Sequence, residues 1–131
     1  MRLDHVGIAV TDLAQAMKRW TAVAGAPDGP PEEVASQGVR VAFLSAGGVE
    51  VELLEPTRPD SAVGRFLAKR GEGLHHLAFQ VPSVDTTLAE LAGRGEAVVD
   101  RVGRVGARGR RVGFAHPAAF GGVLVEFVEG R

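Results

Sequence analysis

The chain carries one strand pattern twice, and this repeat restricts the possible folds more than any other feature. Residues 3–10 read LDHVGIAV, and residues 74–81 read LHHLAFQV. Each half also contains a second matching strand, VEVELLE at 49–55 and VLVEFVE at 123–129. Two copies of one pattern in a chain of 131 residues predict two similar modules within a single domain.

Each half supplies one histidine and one glutamate from equivalent strands. In the first half Glu52 follows His5 by 47 residues. In the second half Glu126 follows His76 by 50 residues. If the halves pack about a pseudo-two-fold axis, the four side chains converge on one point. Two imidazoles and two carboxylates at one point form a divalent metal site, so we expect these four residues to be metal ligands.

Alternation along the strands places the four side chains on one face of the predicted sheet. Successive strand residues point to opposite sides, so the apolar residues on the other side are expected to pack against helices. These predicted helix-facing residues are Val6, Ile8, Val10, Val49, Val51, Leu53, Leu77, Phe79, Val81, Val123, Val125 and Phe127. Because Glu126 lies among apolar neighbours on its face, its carboxylate needs a cation partner or must hold a proton.

The order of elements is β-α-β-β-β in each half, which indicates an α+β fold of two tandem modules. We predict strands at 3–10, near 33–35, and at 39–44, 49–54, 74–81, 97–99, 110–115 and 123–128. Helices are predicted from Thr11 or Asp12 to about Val23, at 62–70 after a Ser61 cap, and from Ser83 to about Gly93. The expected single domain, 1–131, comprises module one at about 1–57, a linker and short helix at about 58–72, and module two at about 73–131.

Composition excludes several classes of protein. The 15 basic and 16 acidic residues nearly balance, so we expect neither nucleic acid nor a membrane as a partner. The absence of cysteine excludes disulfides and thiolate metal ligands. We find no run of 18 apolar residues and no signal peptide, and we therefore expect a cytoplasmic protein.

Two further histidines and a group of arginines are weaker candidates. His75 is predicted to face the opposite side from His76, and His116 lies in a turn, so both are interpreted as structural or as supporting the metal ligands. The arginines are expected either to form a solvated face or to meet phosphate groups of a substrate, and none is assigned to the site. They are Arg101, Arg104, Arg108, Arg110 and Arg111.

These residues resemble the vicinal oxygen chelate superfamily, whose paired βαβββ modules surround a divalent metal ion. The resemblance spans nearly the whole chain, and the motifs GEGLHH at 71–76 and GGVLVE at 121–126 favour the methylmalonyl-CoA epimerases within it. The other matching stretches are 3–10, 37–41, 52–56 and 59–69. The resemblance implies a curved mixed sheet around a metal site, with helices on the outer face.

The resemblance implies that the chain interconverts (2R)- and (2S)-methylmalonyl-CoA, an acyl-CoA substrate, by metal-assisted removal of the C2 proton through an enolate. Glu52 and Glu126 are then expected to be catalytic bases on opposite faces of C2 as well as metal ligands. One divalent ion per site is implied, with cobalt first and manganese, nickel or zinc as alternatives. A homodimer is also implied, and exposed apolar helix positions such as Trp20 fit it.

Two other functions remain open at this point. A glyoxalase I-type lyase acting on a glutathione hemithioacetal needs the same four ligands, whereas a non-catalytic drug-sequestering protein on this fold typically lacks them. The chain also departs from one branch of the epimerases. Some members carry Glu at the position of Val41 and Gln at the position of Glu52, and that Glu has been proposed as their base. A mechanism with a base at position 41 is therefore in doubt here.

Overall fold

The structure, a computed structural model, describes residues 1–130. Its elements are β1 (Arg2–Ala9), α1 (Leu13–Ala24), β2 (Glu32–Val34), β3 (Val39–Ala46), β4 (Val49–Pro56), α2 (Ala62–Arg70), β5 (Gly73–Val81), α3 (Val84–Gly93), β6 (Arg104–Val105), β7 (Arg111–Ala115) and β8 (Val125–Glu129). Short 3₁₀ turns cover Ala35–Gln37, Ala107–Gly109 and Pro117–Phe120. None of the helices within residues 1–130 is long and apolar enough to cross a membrane.

The described residues form two compact units. The first unit is His5–His75, and the second unit comprises residues 1–4 and 76–130, so β1 contributes residues to both. The boundaries proposed for the two modules, and the expectation of a single domain, stay predictions.

The two units repeat one strand topology. In the first unit the strands lie in the order β2-β3-β4-β1, where β1 and β4 are parallel and the other neighbours are antiparallel. In the second unit the order is β5-β8-β7-β6, where β5 and β8 are parallel and the other neighbours are antiparallel. Each unit is therefore a βαβββ module with a mixed sheet, which confirms the predicted α+β class and repeat.

In the first unit α1 packs on one face of the sheet. The buried core on this side consists of Ile8, Val10, Leu13, Ala16, Ala42, Leu44, Val51 and Leu53. Met17 and Trp20 are partly buried against this core. The expectation that Trp20 is an exposed apolar residue is therefore wrong, because its ring packs against the core between helix and sheet.

In the second unit α3 packs on the equivalent face. The buried core consists of Val81, Val84, Leu88, Ala115, Val125 and Phe127, with Phe79 partly buried against it. Val123 was expected to belong to this layer, but it precedes β8 and is 45% exposed. The alternation therefore predicted the helix-facing side correctly for the strand residues in or against these two cores, although Val123 is not buried there.

The strand predicted at 97–99 is wrong. In this segment Val98 forms only an isolated bridge to Ala115, and the strand that pairs with β7 is β6. The physical reason is Asp100, whose Oδ2 accepts the Phe114 N–H at 2.9 Å. The Asp100 carboxylate thus accepts the Phe114 N–H, which would donate to a backbone carbonyl group if the strand continued.

A glutamate on the helix side of each module anchors the start of the helix. Glu55 Oε2 accepts the N–H of Leu13 at 2.8 Å, and Glu129 Oε2 accepts the N–H of Val84 at 3.0 Å. A negative charge at a helix N-terminus is stabilised by the unpaired N–H groups and the helix dipole. The caps Asp12, Ser61 and Ser83 were predicted from the sequence and are confirmed.

The anchoring role of Glu55 predicts a loss of stability in Glu55→Ala. Without the carboxylate the first N–H of α1 loses its partner, and we expect the free energy of unfolding to fall by about 1–2 kcal/mol. Urea unfolding at neutral pH measures this change. The matched control is Glu33→Ala, an exposed strand residue, for which we expect a change within about 0.5 kcal/mol. Equal effects in the two variants would contradict the anchoring role.

Candidate functional site

In the first unit the structure brings His5 and Glu52 together. They lie on the parallel neighbours β1 and β4, where Gly7 is the Cα partner of Glu52. His5 precedes Gly7 by two residues and therefore points to the same face. His5 Nε2 lies 3.3 Å from Glu52 Oε1, and both side chains are buried. Gly7, the partner of Glu52, carries no side chain on this face.

In the second unit His76 and Glu126 form the same arrangement. They lie on the parallel strands β5 and β8, where Ala78 is the Cα partner of Glu126. His76 Nε2 lies 3.2 Å from Glu126 Oε1, and both side chains are again buried. The repeat seen in the sequence is therefore a repeat of geometry, with a small residue beside each glutamate.

An aromatic ring stands beside each histidine. The Phe43 ring is edge-to-face with His5 at a centroid distance of 5.6 Å, and the Phe114 ring is edge-to-face with His76 at 5.7 Å. Phe43, on β3, is the Cα partner of Glu52. Phe114, on β7, is the Cα partner of Glu126. These rings restrict the imidazoles and exclude water from them. Sequence reasoning missed both residues, because only the strand register reveals their position.

Glu50 is a second buried carboxyl residue on the same face of the first unit. It is the Cα partner of His5 and precedes Glu52 by two residues, so its side chain shares the face of Glu52. The corresponding residue in the second module is Leu124. In the sequence, the only signal for Glu50 is its spacing of two residues from Glu52.

The donor atoms within each His/Glu pair suit a divalent metal ion. Each residue is buried and offers one ligand atom, an imidazole nitrogen or a carboxylate oxygen. Two ligands at right angles, each about 2.1 Å from one ion, lie about 3.0 Å apart, which is close to the 3.2 and 3.3 Å measured within the pairs. An imidazole and carboxylate set suits borderline transition metals such as zinc, cobalt and nickel.

His75 and His116 have structural contacts outside these pairs. The ring of His75 is edge-to-face with Phe66 at a centroid distance of 5.0 Å. His116 is exposed, and its Nδ1 accepts the N–H of Ala118 at 3.0 Å at the start of the 3₁₀ turn. These contacts agree with the structural interpretation of both residues.

Glu72, in the GEGLHH motif, ties that segment to the start of α1. Its Oε2 accepts the Thr11 N–H at 2.8 Å and the Thr11 hydroxyl at 3.1 Å. These hydrogen bonds, the backbone one first, hold the pKa of Glu72 below its ordinary value. The helix cap itself is Asp12, so the sequence alternative of Thr11 as the cap is excluded.

Three of the five arginines are engaged by carboxylates of the second unit. Arg110 is buried and contacts Asp4, Arg111 contacts Asp85, and Arg104 lies near Asp100. The expectation of a solvated face is therefore wrong for Arg110. None of these contacts identifies a phosphate anchor.

A family model described as the Glyoxalase/Bleomycin resistance protein/Dioxygenase superfamily matches residues 4–114. An uncharacterised Bacillus subtilis protein, YqjC, is 42% identical over 128 residues, covering 98% of this chain and 91% of the relative. The mitochondrial methylmalonyl-CoA epimerase of Bos taurus is 36% identical over 126 residues, covering 95% and 72%. A variant of the Streptomyces coelicolor methylmalonyl-CoA epimerase, solved in complex with 2-nitronate-propionyl-CoA, is 43% identical with a TM-score of 0.91, covering 99% of this chain and 94% of that one.

The environment of Asp85 predicts that the stability of the folded chain depends on pH. The Gly103 N–H first, and then the Arg111 guanidinium, hold the pKa of Asp85 below its ordinary value. A carboxyl whose pKa is lower in the folded state contributes stability above its unfolded pKa, and this contribution is lost as pH falls through the folded pKa. We expect Arg111→Gln to raise the pKa of Asp85 towards its ordinary value, as measured by carboxyl ¹³C NMR titration.

The matched control for this titration is Arg101→Gln, which removes an exposed arginine from the same segment. We expect it to leave the titration of Asp85 unchanged. An Asp85 titration that is identical in Arg111→Gln and the unaltered chain would contradict the contribution of the guanidinium.

Proposed function

This chain belongs to the glyoxalase/bleomycin resistance protein/dioxygenase superfamily, and from that membership we propose that it is a methylmalonyl-CoA epimerase. The observation that carries the proposal is the buried His/Glu pair present once in each module. Support comes from relatives of that name that match the chain over nearly its full length, one of them solved with an acyl-CoA analogue.

We propose that His5, Glu52, His76 and Glu126 together hold one divalent metal ion. The burial of all four side chains and the equal geometry of the two pairs support this assignment. Cobalt is our first candidate, and manganese, nickel and zinc are alternatives, since the same nitrogen and oxygen ligands suit each of them. When bound, the ion supplies Lewis acidity that stabilises negative charge developing on the thioester oxygen of the substrate.

The two glutamates are the proposed proton carriers. One carboxylate takes the proton from C2, so that the C2–H bond breaks, an O–H bond forms and the electron pair passes into the thioester as an enolate. The other glutamate, in its protonated form, returns a proton to the opposite face of C2. Inversion then needs one carboxyl group on each face, and Glu52 and Glu126 come from equivalent positions of the repeat. His5 and His76 stay neutral throughout.

Val41 does not contribute to proton transfer. It is buried on β3 two residues before Phe43, on the same face, and has no ionisable group. A mechanism that places a carboxylate base at this position is therefore unavailable to this chain. The carboxylate at Glu52 is the alternative that the first module offers.

The finer assignments are also proposals. We propose a homodimer in the cytoplasm that acts on an acyl-CoA substrate, with no nucleic acid or membrane partner. The dimer is supported by family resemblance. No residue is assigned to the coenzyme A phosphates.

Proton NMR of methylmalonyl-CoA in heavy water tests the proposed function. We expect metal-loaded protein to exchange the C2 proton for deuterium and to interconvert the two isomers, and we expect EDTA-treated protein to do neither. No exchange with cobalt, manganese, nickel or zinc would contradict the epimerase proposal. Activity only on a glutathione hemithioacetal would select the glyoxalase I-type alternative, and protein that takes up no metal would select the drug-sequestering alternative.

Single variants test the two carboxyl groups in the same assay. We expect Glu52→Gln and Glu126→Gln each to lower the epimerisation rate by at least about 100-fold, because proton transfer on one face is lost. Each variant can still exchange the C2 proton of one isomer, so deuterium entry should fall less than interconversion. Glu96→Gln, at an exposed residue, is the matched control. Full epimerase activity in Glu52→Gln would refute the mechanism with two carboxyl groups.

A further inference from the structure

A buried ion pair joins the first strand to Arg110, the residue before β7, within the second unit. Arg110 Nη1 and Nη2 donate to Asp4 Oδ2 and Oδ1 at 2.9 and 2.8 Å. Asp4 is 9% exposed and Arg110 is 8% exposed. Arg110 Nε also donates to the carbonyl oxygen of Glu129 at 2.9 Å. The guanidinium is thus held in one orientation by three hydrogen bonds.

A stabilising contribution is a weak explanation for this pair. Removing two charges from water costs free energy that their attraction offsets only in part, so a buried pair is weak evidence of a stabilising role. Its geometry is specific, however, because the planar guanidinium matches the carboxylate in a two-pronged contact. A pair of this kind fixes the relative position of the backbone segments that carry it.

Those segments lead directly to two proposed metal ligands. Asp4 immediately precedes His5 in β1, and Glu129 follows Glu126 by three residues in β8. Arg110 therefore contacts the backbone of the Glu126 strand and the side chain next to His5. A shift at either contact would move a ligand-bearing strand.

The repeat shows that the βαβββ module does not itself require such a pair. Phe43 and Phe114 occupy equivalent register positions opposite the two glutamates. Four residues before Phe114 is Arg110, whereas four residues before Phe43 is the buried apolar Val39. The position equivalent to Asp4 in the second module is His75. The ion pair is thus an addition to one module only.

We propose that Arg110 is a positioning residue for the metal site, acting through Asp4 on the backbone at His5. This inference rests on the proposed metal ligation by His5 and Glu126. Arg110 is not a metal ligand, so its loss should weaken metal binding while the four ligand side chains remain.

The test compares two neighbouring ion pairs of the second unit. Arg110→Lys keeps the charge but loses the two-pronged contact, and Arg111→Lys is the matched control at the pair with Asp85, whose Nη2–Oδ2 distance is 2.9 Å. The measurement is the dissociation constant for cobalt, by competition with a chromophoric chelator. Circular dichroism and the Tm of the metal-free protein report on folding. We expect Arg110→Lys to weaken cobalt binding by at least about tenfold, and Arg111→Lys to change it by less than about twofold.

A second variant keeps the test decisive if Arg110→Lys does not fold. The double variant Asp4→Asn with Arg110→Gln removes both charges together and avoids leaving one buried alone. A folded double variant should also bind cobalt at least about tenfold more weakly than the unaltered chain. Cobalt binding equal to that of the unaltered chain, in either folded variant, overturns the inference, as does equal weakening in Arg111→Lys.

Failure of this inference is distinguishable from failure of the proposed function. Cobalt affinity is measured without substrate, so a chain that binds cobalt but does not epimerise methylmalonyl-CoA would refute the function and leave the positioning role standing. Conversely, epimerase activity with cobalt affinity unchanged in Arg110→Lys would refute only the positioning role.

Discussion

Each module buries a carboxyl residue in its sheet, and this burial constrains the residues around it. Glu52 and Glu126 are each 5% exposed, and a carboxylate removed from water needs a partner. Each has an imidazole Nε2 within 3.3 Å on the neighbouring parallel strand. The residue opposite each glutamate is small, Gly7 in the first module and Ala78 in the second.

The same strands connect this face to the helix layer. Three residues after each buried glutamate, on the opposite face, Glu55 and Glu129 hold the first N–H of a helix. One strand thus positions a candidate ligand on one side and a helix on the other, so the packing of the core and the geometry of the site are coupled. The function proposed here uses this coupling, because ligands that must hold a metal and move a proton need a rigid support.

Local patterns predicted the parts of the structure that depend on local physics. Period-two alternation predicted that His5 and Glu52 face away from the helix, and Ser83 predicted a helix start, since each signal acts within a few residues. The position of Phe114 beside His76 was not predictable in this way, because strand register depends on pairing between distant segments. The pairing of Arg110 with Asp4, separated by 106 residues, was missed for the same reason. The methylmalonyl-CoA substrate was inferred from family resemblance. The periodicity of the strands carries no information about a substrate.

We propose above all that the two His/Glu pairs bind a single metal ion. Anomalous diffraction from crystals of the cobalt-loaded protein, with the metal-to-chain ratio measured on the same preparation, tests it most directly. We expect one cobalt per chain, within about 2.0–2.2 Å of one atom from each of His5, Glu52, His76 and Glu126. Two ions per chain, one at each pair, or one ion held by a single pair, would contradict it.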